Sequence, residues 1–180
     1  GYGDIVILLR TMSGWAETFT EVLSWYGIPA YAESRRGYFS TQEVRMMLDV
    51  LQILDNPAQD IPLTAVLHSP IGGLTAEELA EIRQCGAGVE KDMGFYSCVL
   101  FYAEHYKEGA LAEKVAHFLD WLSCYRKKAV YLPLQDLLRE LYEETGYYHY
   151  VTAMPGGARR KANLDLLLGK AAAFEKTSYS

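Results

Sequence analysis

The sequence predicts a mainly α protein, with a small N-terminal β-α-β piece followed by an all-α helical domain. Three observations carry this. Residues 4–10, DIVILLR, are an apolar run of strand length rich in Ile and Val, suited to a strand buried on both faces. A helix-length stretch and a second short extended stretch, IPAYAE, follow it with short loops between, the arrangement from which parallel α/β sheets are built. From residue 40 onward, apolar residues recur at helical spacing between capping and breaking signals.

Taken in order, residues 14–26 form an amphipathic helix. Trp15, Phe19, Val22, Leu23 and Tyr26 share one face, and Glu17, Thr20, Glu21 and Ser24 lie largely on the other. Gly27 is placed to cap the helix, and residues 28–33 form the second strand. Ser40 and Glu43 then make a capping box, N-cap and third helical position, for a helix running to Asp55. Only Arg45, Asp49 and Gln52 interrupt its apolar surface, so most of it is expected inside. Pro57 ends it by disfavouring helix at Asn56. A short helix over 60–68 leads into a tight loop, SPIGGLT, and Thr75 with Glu78 forms a second capping box. Residues 85–92 read as a glycine-containing loop. Helices are expected at 95–107, 110–127 and 133–145. The middle one carries a stripe of Leu111, Val115, Phe118, Leu122 and Tyr125. Gly146 ends the third, residues 147–157 form a tyrosine-rich connector closed by Pro-Gly-Gly, and a last helix opens with basic residues.

Composition narrows the function. The chain has 180 residues, 50% hydrophobic and 22% charged, which fits a globular protein rather than a disordered one. A net charge of -6 argues against attraction of the whole surface to nucleic acid or an anionic membrane, so phosphate binding must come from a local patch. Cys85, Cys98 and Cys124 follow no CxxC spacing and read as reduced, buried thiols of a cytosolic protein. The four histidines make no HxxxH or HExxH, so no metal site is expected. No apolar run is long enough for a membrane span, and no signal peptide is seen. Gly1 in place of an initiator methionine, a strand by the fourth residue and an uncapped helical end give the expectation that the chain is cut from something larger.

Three places could bind phosphate. Arg10 ends the first strand, and ligands of parallel sheets bind beyond the carboxyl ends of strands; the plain alternative is a strand end reaching solvent. The loop from Ser69 to Thr75, with Gly72 and Gly73, could offer backbone amides; the plain alternative is a helix–turn–helix corner, which Glu77 and Glu78 favour. Arg159, Arg160 and Lys161 open the last helix, where the dipole prefers negative groups, so a bound phosphate would relieve them; the plain alternative is a solvated basic corner. The segments SRRG (34–37) and YRKK (125–128) are weaker versions. There is no GxxxxGK[ST] loop, no GxGxxG and no GxSxG, so no complete catalytic site is assembled.

Four segments in order, VILLR, YFSTQEV with NPAQD, SPIGGLT and GARRKANLDLL, resemble superfamily 1 DNA helicases of the UvrD/PcrA/RecB kind. YEETGYYHYV adds a likeness to the AddA-type helicase–nuclease branch of that family. The resemblance implies that residues 1–38 begin a RecA-like domain, subdomain 2A, and that 39–180 form a helical 2B-like insertion. It implies an ATP-dependent DNA helicase and exonuclease of the bacterial cytoplasm, acting in double-strand break repair and recombination. ATP and Mg2+ would serve the complete protein, and a second helicase–nuclease subunit of AddB type would be its partner. Arg10 matches the arginine that reaches the γ-phosphate of ATP from the second RecA-like domain. Ser69, Gly72, Gly73, Thr75, Arg159, Arg160, Lys161 and Asn163 become candidates for contact with duplex DNA and its single-strand junction. The family's arginine before the glycine pair is Ile71 here, so a phosphate role for that loop would rest on backbone amides. The rival reading is an all-α protein–protein interaction module with no nucleic-acid role, which the acidic balance and the 14 tyrosines favour.

Overall fold

A computed structural model describes residues 1–10, 15–30, 37–90 and 92–178, and the chain divides into two compact units, Gly1–Thr41 and Gln42–Ser180. The first begins with a single 3₁₀ turn at Tyr2–Asp4. Residues 5–9 follow without regular structure, and Ile5, Val6, Ile7 and Leu8 are exposed, Leu8 to 90%. The strand expected over 4–10 is therefore not formed. A strand exists only as half of a hydrogen-bonded ladder, and the described residues contain no strand to pair with it. Of the second expected strand, residues 28–30 have no regular structure and 31–33 lie outside the described residues. The helix between them is present as α1, Trp15–Trp25. Gly27 ends it at φ +70°, with the Ile28 amide donating to the Leu23 carbonyl at 2.9 Å. Its apolar face is open: Trp15, Phe19 and Val22 are all exposed.

The second unit is built entirely of helices among its described residues. It starts with α2, Gln42–Asp55, whose Val44, Met47, Val50, Ile53 and Leu54 are buried as their spacing requires. Helix α2 packs against α3, Asp60–His68, and against α6, Ala110–Lys128, and α9, Gly157–Ser178. The predicted α6 stripe is wholly inside: Leu111, Val115, Phe118, Leu122 and Tyr125. Side chains of this size contribute about 1.5–3 kcal/mol each when fully buried.

Polar side chains join the helices at their ends. Asp60, in the first turn of α3, accepts from the Phe95 amide at 2.9 Å and so caps α5, Phe95–His105. Arg126 donates through Nε to the Leu54 carbonyl at 3.1 Å, satisfying an acceptor in the last turn of α2. Helix α7, Leu134–Glu144, is tied to α6 by the Tyr125 hydroxyl donating to Glu144 and by Lys128 against Glu140 at 2.7 Å. Arg126 and Lys128 at the end of α6 thus have structural partners, as their place at a helix C-terminus suggests.

Three expectations are corrected. The loop expected from residue 85 starts later, because α4, Ala76–Ala87, continues through Gly86. A Cβ there would lie 2.3 Å from Cys98 Sγ, so the missing side chain is what lets α4 and α5 approach. The connector over 147–157 contains a short helix, α8, Tyr147–Ala153, which Gly146 at φ +65° allows to follow α7 directly. Finally, the Ser40–Glu43 capping box is replaced by other partners. Ser40 donates to the Gly37 carbonyl at 3.0 Å, and the Glu43 carboxylate is engaged by α9. The second capping box is present, with Thr75 and Glu78 exchanging hydrogen bonds at 2.8 and 3.2 Å.

Gly86→Ala is expected to lower stability by about 1–3 kcal/mol, the scale of overpacking a tight contact. Urea unfolding followed by circular dichroism checks this, with an unchanged midpoint counting against the close α4–α5 approach.

Candidate functional site

The loop from Ser69 to Thr75 is a closed corner. Ser69 is buried, and its hydroxyl donates to the Val66 carbonyl at 2.7 Å while accepting from the Ile71 amide at 3.1 Å. The Gly72 amide donates to Val66, the Gly73 amide to Ser69 and the Leu74 amide to Leu67. The Thr75 amide donates to Glu78. The amides that a phosphate would need are thus spent inside the loop. The glycines have backbone reasons: a Cβ on Gly72 would meet the Leu67 backbone at 2.5 Å, and Gly73 has φ +67°. Glu78 is held further by Lys114 of α6 at 2.8 Å. That lysine and the Thr75 amide keep its carboxyl below the ordinary value.

The basic start of α9 divides in two. Arg159 and Lys161 are exposed, and the Lys161 ammonium lies 5.7 Å from the centre of the Tyr148 ring. Arg160 turns inward. It donates through one terminal nitrogen to Glu43 at 2.7 Å and through Nε to the Pro155 carbonyl at 3.2 Å. Asn163 donates to the other Glu43 oxygen at 2.6 Å. Glu43 is only 3% exposed, so a full charge is held inside at the first turn of α2. Burial pushes its carboxyl up; the Asn163 hydrogen bond, its own backbone amide and the Arg160 charge outweigh this and leave it below its ordinary value. Burial, with the Glu43 charge next, raises the phenol of the buried Tyr147, so this side chain stays neutral.

The signal for this arrangement is in the sequence. Arg160, Asn163, Leu164, Leu167 and Ala171 follow one helical stripe, and the last three are buried. Continued by one turn, the apolar stripe places Arg160 and Asn163 on the inner face. What sequence reasoning missed was the partner, because Glu43 also suited a capping box.

Arg10 is exposed at the end of the apolar run, and no hydrogen bond or ion pair among the described residues engages it. Among the described residues no cluster of His, Cys, Asp or Glu could hold a metal ion.

An arginine after an apolar run, a closed Gly-Gly corner and an R-x-x-N-L helix start follow in the order seen in one helicase family, and the model of the UvrD-like helicase C-terminal domain matches residues 1–146. The chain belongs to this family. Among its relatives are the A subunits of ATP-dependent helicase/nucleases. This UvrD-like chain is 43% identical over 219 residues to the one from Lachnoclostridium phytofermentans, covering 99% of the chain and 16% of that protein. It is 46% and 47% identical over 178 residues to the proteins of the same name in Thermoanaerobacter pseudethanolicus and Acetivibrio thermocellus, covering 99% of the chain and 14% of each. The UvrD-like chain therefore spans 14% to 16% of the length of these relatives.

Arg160→Ala is expected to destabilise the helical unit by about 3–5 kcal/mol, because it leaves a buried carboxylate without its counter-charge. Chemical denaturation measures this. The stability that Glu43 confers is present above the pKa of an unfolded glutamate, about 4.3, and is lost as pH falls through the lower folded value. The stability gap between the natural chain and Glu43→Gln should accordingly be widest near neutral pH and close as pH falls through the lowered folded value. A gap independent of pH would show that the Glu43 charge does not contribute.

Proposed function

We propose that the chain is a working part of one subunit of an ATP-dependent DNA helicase and exonuclease that serves double-strand break repair and recombination in the bacterial cytoplasm. The observation that carries this reading is continuous similarity, at 43% to 47% identity through 99% of the chain, to proteins whose name states a helicase and a nuclease. Residues 1–38 belong to a RecA-like domain, whose sheet completes the apolar run and covers the open face of α1. Residues 39–180 form the helical insertion that meets duplex DNA near the single-strand junction. The second subunit of the assembly is of AddB type. No helix among the described residues is long and apolar enough to cross a membrane.

Arg10 is the residue of this chain that touches ATP. Its planar, permanently charged fork fits phosphate oxygens, and its exposure leaves it available to a nucleotide held by another domain. ATP, when bound with Mg2+, supplies the phosphoryl group that is transferred. Arg10 presents fixed positive charge where negative charge develops. The metal falls to residues outside this chain. On the helical unit the exposed Arg159 and Lys161 meet DNA phosphates, and the corner at Ser69, Gly72, Gly73 and Thr75 offers shape rather than free amides.

A second reading has its own observation. Helices α2, α6 and α7 border a groove of about 780 Å³ lined by Leu51, Leu54, Leu122, Leu134 and Leu137, beside Val130, which is 87% exposed. A protein-interaction module would present such a surface. Salt-sensitive binding of a duplex with a single-stranded tail, weakened by Arg159→Ala with Lys161→Ala, decides against that module.

In the complete protein, Arg10→Ala should reduce ATP turnover by about 100-fold or more, the scale of losing one transition-state donor. Steady-state ATPase assays read this, and an unchanged turnover number removes the role from Arg10. The 180-residue chain alone should hydrolyse no ATP and cut no DNA.

A further inference from the structure

The three basic residues that open α9 do two different jobs. Adjacent residues of an α-helix point about 100° apart, so a side chain fixed inward sends its two neighbours out along opposite flanks. Arg160 is fixed inward by three acceptors: Glu43 at 2.7 Å, the Pro155 carbonyl at 3.2 Å and Gln42 at 3.5 Å. Its side chain is 18% exposed and that of Glu43 is 3%. Asn163, one turn on, takes the second carboxylate oxygen at 2.6 Å, so both oxygens are engaged from the same helix face. Withdrawing Arg160 to reach a DNA phosphate would strand a carboxylate in the interior, and that cost opposes any such movement. Arg159 and Lys161 are exposed, and no side-chain hydrogen bond or ion pair ties either to another of the described residues.

We infer that Glu43, Arg160 and Asn163 form a positioning triad that docks the start of α9 on the start of α2 and presents Arg159 and Lys161 outward, so that Arg160 and Asn163 act on nucleic acid only through those two cations. The part concerning nucleic acid rests on the DNA-contact reading above; the triad itself does not.

The experiment uses the 180-residue chain and three variants: Arg160→Gln, Asn163→Ala, and Arg159→Ala with Lys161→Ala. Hydrogen–deuterium exchange is read at the amides of residues 161–167, which lie inside α9. Arg160→Gln should speed their exchange about tenfold or more. Asn163→Ala keeps the ion pair, guards against an unfolded Arg160 variant, and should give a smaller rise. The Arg159/Lys161 variant should leave exchange unchanged. The same proteins are titrated with a tailed DNA duplex at several salt concentrations. The Arg159/Lys161 variant should lower the magnitude of the salt slope by about two, and Arg160→Gln or Asn163→Ala should leave it as in the natural chain. Unchanged exchange in both Arg160→Gln and Asn163→Ala overturns the triad. A salt slope lowered by about one in Arg160→Gln, with exchange unchanged, makes Arg160 a direct phosphate contact instead. If the natural chain binds no duplex, the DNA-contact reading fails by itself, and exchange still decides the triad.

Discussion

A carboxylate held inside a protein must be neutralised within hydrogen-bond reach, and in this chain Glu43 imposes that requirement on the helical unit. It stands in the first turn of α2, and its partners come from the first two turns of α9, 117 and 120 residues later. The two helices therefore meet in one register, since a shift of a single residue would rotate Arg160 away by about 100°. Below that point the contact becomes apolar, through Leu164, Leu167 and Ala171. Helices α7 and α8 pack against α9, so their place in the unit follows from the same junction.

The first unit poses the opposite problem. Ile5 through Leu8 and most of the apolar face of α1 are exposed, far more contiguous apolar surface than a short segment leaves open when its packing is complete. The helical unit, by contrast, buries the whole α6 stripe and Val44, Met47, Val50, Ile53 and Leu54 of α2. The contrast separates a segment whose hydrophobic partners lie within the described chain from one whose partners, on the reading proposed here, are the remaining strands of a RecA-like sheet. It also explains why Arg10 is accessible.

Most of the helical architecture was legible because it is local. The α6 stripe, the breaker at Pro57, the Thr75–Glu78 capping box and the terminal glycines at 27 and 146 each depend on residues within one or two turns. The misreadings at Glu43, Gly86 and the first apolar run share a physical source, which is choice among partners distant in sequence. Glu43 suited a local cap and found a distant arginine. Gly86 resembled a loop signal and was a packing contact with Cys98. The apolar run at 4–10 had strand composition, but composition cannot supply the neighbouring strand. At the candidate site, the direction of each basic residue is legible only through its neighbours on the helix. A basic triplet looks uniform in sequence, and only the continuation of the Leu164 stripe separates its middle member from the other two.

The separation between Glu43 and Arg160 also has a consequence for how the unit is made. Helices α2 through α6 can collapse around Met47, Ile53, Leu67 and Leu122 as the ribosome delivers them, but at that stage Glu43 has only water to face. Its burial awaits the delivery of residue 160, and the closure entropy of so long a loop must be met before the contact returns anything. The junction that joins α9 to α2 therefore carries the closure cost of the long stretch of chain between them.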